Sequence, residues 1–293
     1  MELSAVILPD RPWRDAADRW LRAEELGFSH AWTYDHLTWR TFRDAPWFAA
    51  IPTLVGAAMT TSRIRLGTLV ASPNFRHPVP FAKELITLDD LSGGRVTLGL
   101  GAGTSSWDAS MLGEASWTPE ERADRFEEFV ELTHRLLTTP DVSFDGVYYS
   151  ASEARTYPGC VQTPRVPFAI AATGFRGMRL AARHGDQWVT TGDRRAGDSL
   201  DPVRGAELVA AQMRRLDQAC AEQGRDPASL RRLVVTGTSL DAALGSVHSF
   251  RAMVARYEAI GVDGIAVHWP RAAHPFDADP AVFEAAVAGY LGA

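Results

Sequence analysis

The stretch that decides the fold runs from Ile64 to Gly103 and reads IRLGTLVASPNFRHPVPFAKELITLDDLSGGRVTLGLGAG. Its opening run, Ile64 to Ala71, is short and largely apolar, the signature of a strand covered on both faces. Pro78 to Leu91 then carries a helical pattern, Gly93-Gly94 marks a turn, and Arg95 to Leu100 is a second strand of the same kind. Strand, helix and strand in this order make one unit of a parallel sheet clad in helices.

The unit recurs in both directions. Toward the amino end, Ser4 to Leu8 is an apolar run, and Trp13, Ala16, Ala17, Trp20 and Leu21 share one helical face. Gly27 stops that helix, Ser29 to Tyr34 reads as the second strand, and Ile51 to Thr60 as the helix before the decisive stretch. Toward the carboxyl end, Thr118-Pro119-Glu120-Glu121 opens a helix: Thr118 caps the free amides, Pro119 presets φ, and Glu121 completes a capping box. Residues 141–166 break the rhythm. There Asp145-Gly146 lies between Val142-Ser143-Phe144 and Val147-Tyr148-Tyr149, which predicts a hairpin and reads as an insertion.

The alternation resumes with strands at Phe168–Ala172, Gln187–Thr190, Leu233–Thr236 and Gly264–His268. Helices are expected near 176–184, 205–222 and 246–260, with a last one opened by Pro280. Eight pairs predict an α/β fold, a (β/α)8 TIM barrel spanning residues 1–293 as one domain, with insertions after strands 2 and 4. An open doubly wound sheet also alternates, but usually has about six strands.

The 293 residues, 46% hydrophobic and 23% charged, have the balance of a globular chain with a large core. A net charge of -6 argues against a nucleic-acid surface, which needs clustered cations, so the expected partner is a small molecule. Cys160 and Cys220 have no metal-site spacing, and no metal is expected. No run reaches ~20 apolar residues and the amino end has no leader pattern, so no membrane partner and a cytoplasmic location are expected.

In such a barrel the loops after the strands share one rim. They hold Asp35-His36, Ser72-Pro73-Asn74-Phe75-Arg76-His77, Gly101-Ala102-Gly103-Thr104, Thr173-Gly174-Phe175-Arg176, Thr191-Gly192-Asp193 and His268-Trp269. A planar redox cofactor needs apolar side chains against its ring, amides for its phosphate and a few hydrogen bonds at its reactive edge, and this rim offers all three. Gly99-x-Gly101-x-Gly103 lacks the third glycine at the spacing a dinucleotide fingerprint requires, and its glycines either let the loop turn or let a ligand approach the backbone. Thr173 to Gly177 leads into a helix whose free amides, with Arg176, suit a phosphate.

Tyr34-Asp35-His36, Gly67 to Pro73 with Arg76-His77-Pro78, Leu88 to Arg95, and Leu98 to Gly103 together resemble the luciferase-like monooxygenase superfamily, in particular its branch that uses the deazaflavin coenzyme F420. The resemblance implies that Asp35 lies near the deazaflavin ring, that His36 handles a proton beside the hydride-transfer site, and that Trp39 faces substrate. Histidine suits proton transfer because its ordinary pKa is about 6.5. It further implies a non-prolyl cis peptide at Leu69-Val70 behind the ring. Ser72, Gly101, Gly103, Thr104, Ala171, Ala172, Thr173, Gly174, Phe175 and Arg176 correspond to ring, ribityl and phosphate contacts. Relatives often form dimers, so a homodimer is expected. One departure stands out: family members that oxidise glucose 6-phosphate carry a glutamate after the Gly-x-Gly, where this chain has Thr104, followed by Ser105-Ser106-Trp107. Two alternatives stay open, an FMN-dependent monooxygenase on the same scaffold and a barrel that binds a ligand without turnover.

Overall fold

In the computed structural model, which describes residues 1–104, 107–193 and 200–292, the strands expected of the repeating unit close on themselves. They are β1 (Glu2–Val6), β2 (His30–Thr33), β3 (Arg65–Ala71), β4 (Val96–Gly101), β7 (Phe168–Ala171), β8 (Gln187–Thr190), β9 (Arg231–Val235) and β10 (Gly264–His268). All pair in parallel in that order, and β10 returns to β1 with Glu2 opposite Gly264 and Val6 opposite His268. The single barrel predicted from the alternation is therefore what forms. Helices α1 (Trp13–Glu25), α2 (Ala50–Thr60), α3 (Pro78–Ser92), α5 (Pro119–Thr138), α6 (Phe175–His184), α7 (Pro202–Glu222), α8 (Val247–Ala259) and α9 (Pro280–Leu291) clad it.

Side chains alternate across each strand, so one set faces the helices and the other fills the barrel. The outer set, with Trp20, Phe81, Phe129 and Phe250 from the helices, forms the larger core. The inner set forms a second one: Val6, Trp32, Leu69, Ala169, Val189, Leu233, Val235 and Ala266, topped by Tyr34, Trp39 and Phe42. At Gly67 and Gly99 strands β3 and β4 approach too closely for any side chain, since a Cβ would lie 2.1 Å from the Thr97 carbonyl oxygen and 2.0 Å from that of Thr68, respectively. The register between these two strands shifts between Thr68 and Ala71, where the expected cis peptide Leu69-Val70 is found.

The capping box at the start of α5 is present in both directions, Thr118 with Glu121. Two expectations need correction. The hairpin is β5 (Asp141–Asp145) paired with β6 (Ser150–Arg155), so Val147-Tyr148-Tyr149 is its turn and not its second arm. The reason is Glu128 on α5, whose carboxylate accepts the amides of Val147, Tyr148 and Tyr149 at 2.9, 2.9 and 3.2 Å and wraps the turn around itself. In the insertion after β4, residues expected to be loop form a short helix, α4 (Trp107–Met111). No described helix is long and apolar enough to cross a membrane.

Candidate active site at the mouth of the barrel

Strand pairing puts the ends of β3, β4 and β7 side by side, with Leu100 opposite Ala71 and Gly101 opposite Ala171. A Cβ at Gly101 would lie 2.5 Å from a Val70 methyl and 3.8 Å from the Ala171 Cβ, so Val70, Gly101 and Ala171 form one continuous floor. Next to them, Gly103 has φ +71°, and a Cβ there would lie 2.5 Å from the Asn74 side-chain oxygen; the Asn74 amide in turn donates to the Thr104 carbonyl at 3.1 Å. The Ser72 hydroxyl is buried at the end of β3 and has no hydrogen-bond partner among the described residues. A buried hydroxyl is rarely left so, and where it is, an absent ligand is one explanation. On the β7 side, Ala172, Thr173 and Gly174 follow the strand; Gly174 is exposed, its Cβ position is open, and α6 starts after it with no side chain capping its amides.

Two predicted contacts are engaged elsewhere. Asp35 is 1% exposed, and its oxygens accept Arg76 Nε at 3.0 Å and Nη2 at 2.8 Å, so it faces that guanidinium behind the rim. Arg76 also holds Glu84 and lies over the Phe75 and Phe81 rings. Arg176 turns away from the open helix end to pair with Asp124 and with Glu127, the latter at 2.6 Å. Its charge is matched by these two carboxylates in the ligand-free protein. With Phe175, Arg179 and Arg183 it lines a cavity of about 560 Å3 along α6.

His36 follows β2, which pairs with β3 on the side away from β4. Its Nδ1 is 2.7 Å from Asp108 Oδ2, while Asp108 Oδ1 accepts the Leu37 amide at 2.8 Å. Asp108 is wholly buried, whereas the His36 side chain is 20% exposed. A carboxylate only accepts, so Nδ1 carries the proton, and no hydrogen bond among the described residues engages Nε2. Sequence reading missed Asp108: it lies one residue past the Ser105-Ser106-Trp107 departure, of which 105 and 106 fall outside the described residues.

Behind His36 lies an aromatic wall. Trp39, 8% exposed, stacks with Phe42, Trp47 and Phe276 and meets Tyr34 edge-on at 5.1 Å. Trp47 also donates to the His36 carbonyl at 2.9 Å. The wall rests on a pair that sequence reading did not single out. His268 Nδ1 donates to the Thr236 carbonyl at 2.9 Å, so its Nε2 must accept the Tyr34 hydroxyl at 2.7 Å. Complete burial pushes the His268 pKa down to about 3, against the weaker pull of the Thr236 carbonyl, so the ring is neutral. Phe276 lies flat on that ring at 3.5 Å and borders a cavity of about 540 Å3, also lined by Arg40, Thr238, Asp241 and Asp277. Arg40, Ala243 and Phe276 line it with φ of 43°, 50° and 67°, a strained backbone of the kind that clusters at ligand sites. No group of three or more described His, Cys, Asp or Glu is arranged to hold a metal.

The chain is 41% identical over 181 residues to an F420-dependent glucose-6-phosphate dehydrogenase of Beutenbergia cavernae, covering 61% of this chain and 52% of that one. To the same-named protein of Intrasporangium calvum it is 32% identical, over 81% of this chain and 69% of the other. The chain thus spans about half the length of the first of these relatives. Its fold matches that of an F420-dependent secondary alcohol dehydrogenase solved with an F420-acetone adduct, with a TM-score of 0.78 and 18% identity over 99% of this chain and 98% of the other. The profile of the luciferase-like monooxygenase family matches residues 1–262, and on that match the chain is an enzyme belonging to this family.

Proposed function

We propose that the chain is an F420-dependent oxidoreductase that moves a hydride between the deazaflavin and a small organic substrate, an alcohol, an activated alkene or an imine. The observation that carries the reading is the unpartnered, buried Ser72 hydroxyl beside the Val70–Gly101–Ala171 floor, a polar group and an apolar plane positioned for a ring. The residues fit the cofactor: the floor would lie against the tricycle, Ser72 would donate to it, and the uncapped start of α6 after Gly174 would take the phosphate. When bound, the deazaflavin supplies a carbon that takes or gives a hydride.

The protein's own residues do the rest. Tyr34 and Trp39 belong to the apolar cluster against which Val70, Ala171 and Phe276 pack, a lining that suits an apolar carbon skeleton. His36 holds or releases the accompanying proton at Nε2. Thr104 cannot act as the acid that a glutamate would be there. Glucose 6-phosphate is thus expected to be a poorer substrate than a neutral secondary alcohol.

The test is titration of the purified protein with F420 and with FMN, followed by absorbance near ~420 nm and ~450 nm, respectively. F420 binding, with alcohol-dependent bleaching that is lost in His36→Ala, is the expected result. Binding of FMN alone would make the chain a flavin monooxygenase of the same family, and binding without turnover of any substrate would make it a carrier. Gel filtration with light scattering checks the homodimer we also propose.

A further inference from the structure

We infer that Asp108 is a positioning residue for His36: it fixes the ring as the Nδ1–H tautomer and leaves the Nε2 lone pair as the proton-accepting edge. Three observations converge on it. The Asp108 carboxylate is wholly buried, and burial of a carboxylate is costly unless its oxygens are well bonded. Its two oxygens grip the ring of His36 and the backbone amide of the next residue, so both the side chain and the main chain of the histidine's segment are held from one point. The helix that carries Asp108 is only five residues long, and beside Asp108 it presents Trp107, whose ring lies 4.0 Å beneath the Arg43 guanidinium. Helix α4 therefore clasps the segment after β2 at two places, and one of them is the histidine.

The consequence is chemical. A neutral imidazole with its proton held on Nδ1 has only a lone pair at Nε2, so it meets a substrate hydroxyl as a base. As the substrate O–H bond breaks and an N–H bond forms at Nε2, the positive charge that appears on the ring faces Asp108, which stabilises it without taking the proton. The substrate class that uses such an edge is one with a hydroxyl on the carbon being oxidised. This part rests on the proposed role of His36; the tautomer does not.

Nitrogen NMR of the whole protein with isotope-labelled histidine, at mildly alkaline pH, reads the tautomer directly, with the His36 signals assigned by their loss in His36→Gln. The expected wild-type spectrum shows His36 protonated on Nδ1. In Asp108→Asn the amide oxygen must accept the Leu37 amide, so its NH2 group faces Nδ1 and drives the proton to Nε2; the spectrum should invert. A wild-type His36 protonated on Nε2 overturns the inference with no variant needed, and so does an unchanged tautomer in a folded Asp108→Asn. With F420 and a secondary alcohol, Asp108→Asn should lower kcat by about 10²-fold while F420 affinity stays within twofold, and Asp108→Glu should recover part of the loss. If His36→Gln oxidises the alcohol as fast as wild type, the proposed role of His36 fails, while the NMR result still decides the role of Asp108.

Discussion

The Ser72 hydroxyl and the Glu24 carboxylate are both buried polar groups, and they lead to opposite expectations. Ser72 has no partner among the described residues, so removing its oxygen should not destabilise the fold: Ser72→Ala should leave the urea unfolding free energy within about 1 kcal/mol of wild type or slightly above it. The same variant should weaken F420 binding by about five- to tenfold, read by titration, because the lost hydrogen bond is made only when the ring is present. Glu24 is fully employed. Its carboxylate accepts the amides of Ser62, Arg63 and Ile64 at 2.9, 2.6 and 2.9 Å, tying α1 to the turn before β3. Burial alone would raise its pKa, but those amides outweigh it and hold the carboxyl below its ordinary value. Glu24→Gln should therefore cost about 1–3 kcal/mol in urea unfolding near neutral pH. At this scale the strand-end residues were legible in the sequence because a parallel barrel sends every such position to one rim. Asp108 was not, because its partner is 72 residues away and nothing local marks a carboxylate aimed at a distant ring.

Among the elements, the hairpin β5–β6 and the clasp of α4 show what periodicity can and cannot reveal. Alternating strands and helices are visible because packing imposes a period on the side chains. A turn that folds around a carboxylate on a neighbouring helix imposes none, so Asp145-Gly146 gave the hairpin its place but not its arms. Glu128→Ala removes that carboxylate and leaves three turn amides without it. Amide exchange at Val147, Tyr148 and Tyr149 should speed up markedly, while exchange in β7 and β8 stays as in wild type. Strands β3 and β4 behave differently, because their close approach leaves no room to relax. Gly99→Ala would drive a methyl to 2.0 Å from the Thr68 carbonyl oxygen, and must part the two strands beneath the floor. Loss of F420 binding together with a lowered unfolding midpoint is expected; a variant that binds F420 like wild type would show that the strands can part harmlessly.

For the molecule as a whole, three buried histidines contribute strongly to the response to acid. Burial pushes the pKa of His30 down to about 3, with Arg65 and Arg231 adding to it, that of His184 to about 4, and that of His268 to about 3. The unfolded chain titrates these rings near ~6.5, so below that pH it binds protons that the folded barrel refuses. Their contribution is complete above ~6.5 and is lost as pH falls toward 4, each ring weakening the fold by about 1.4 kcal/mol per pH unit across that window. Urea midpoints measured from pH 7.5 down to about 5 should fall steadily, and a flat profile would contradict the neutral, buried state of these rings. The Tyr34–His268 pair was illegible in the sequence for the same reason as the acid response: both depend on closure of the ring of strands, which brings residues 234 positions apart into contact.

That closure has a consequence for how the chain is made. The first strand finds its last neighbour only when residues 264–268 exist, so a nascent chain released from the ribosome tunnel as far as residue 104 presents β1 and β4 as two unpaired edges. Val70 and Gly101 of the floor are made by then, whereas Ala171 and the Asp108 that holds His36 are not, and both flanks lie open to other chains. One side of β1 therefore stays unpaired until residues 264–268 emerge, and the sheet is open to other strands for as long as translation of the intervening segment takes.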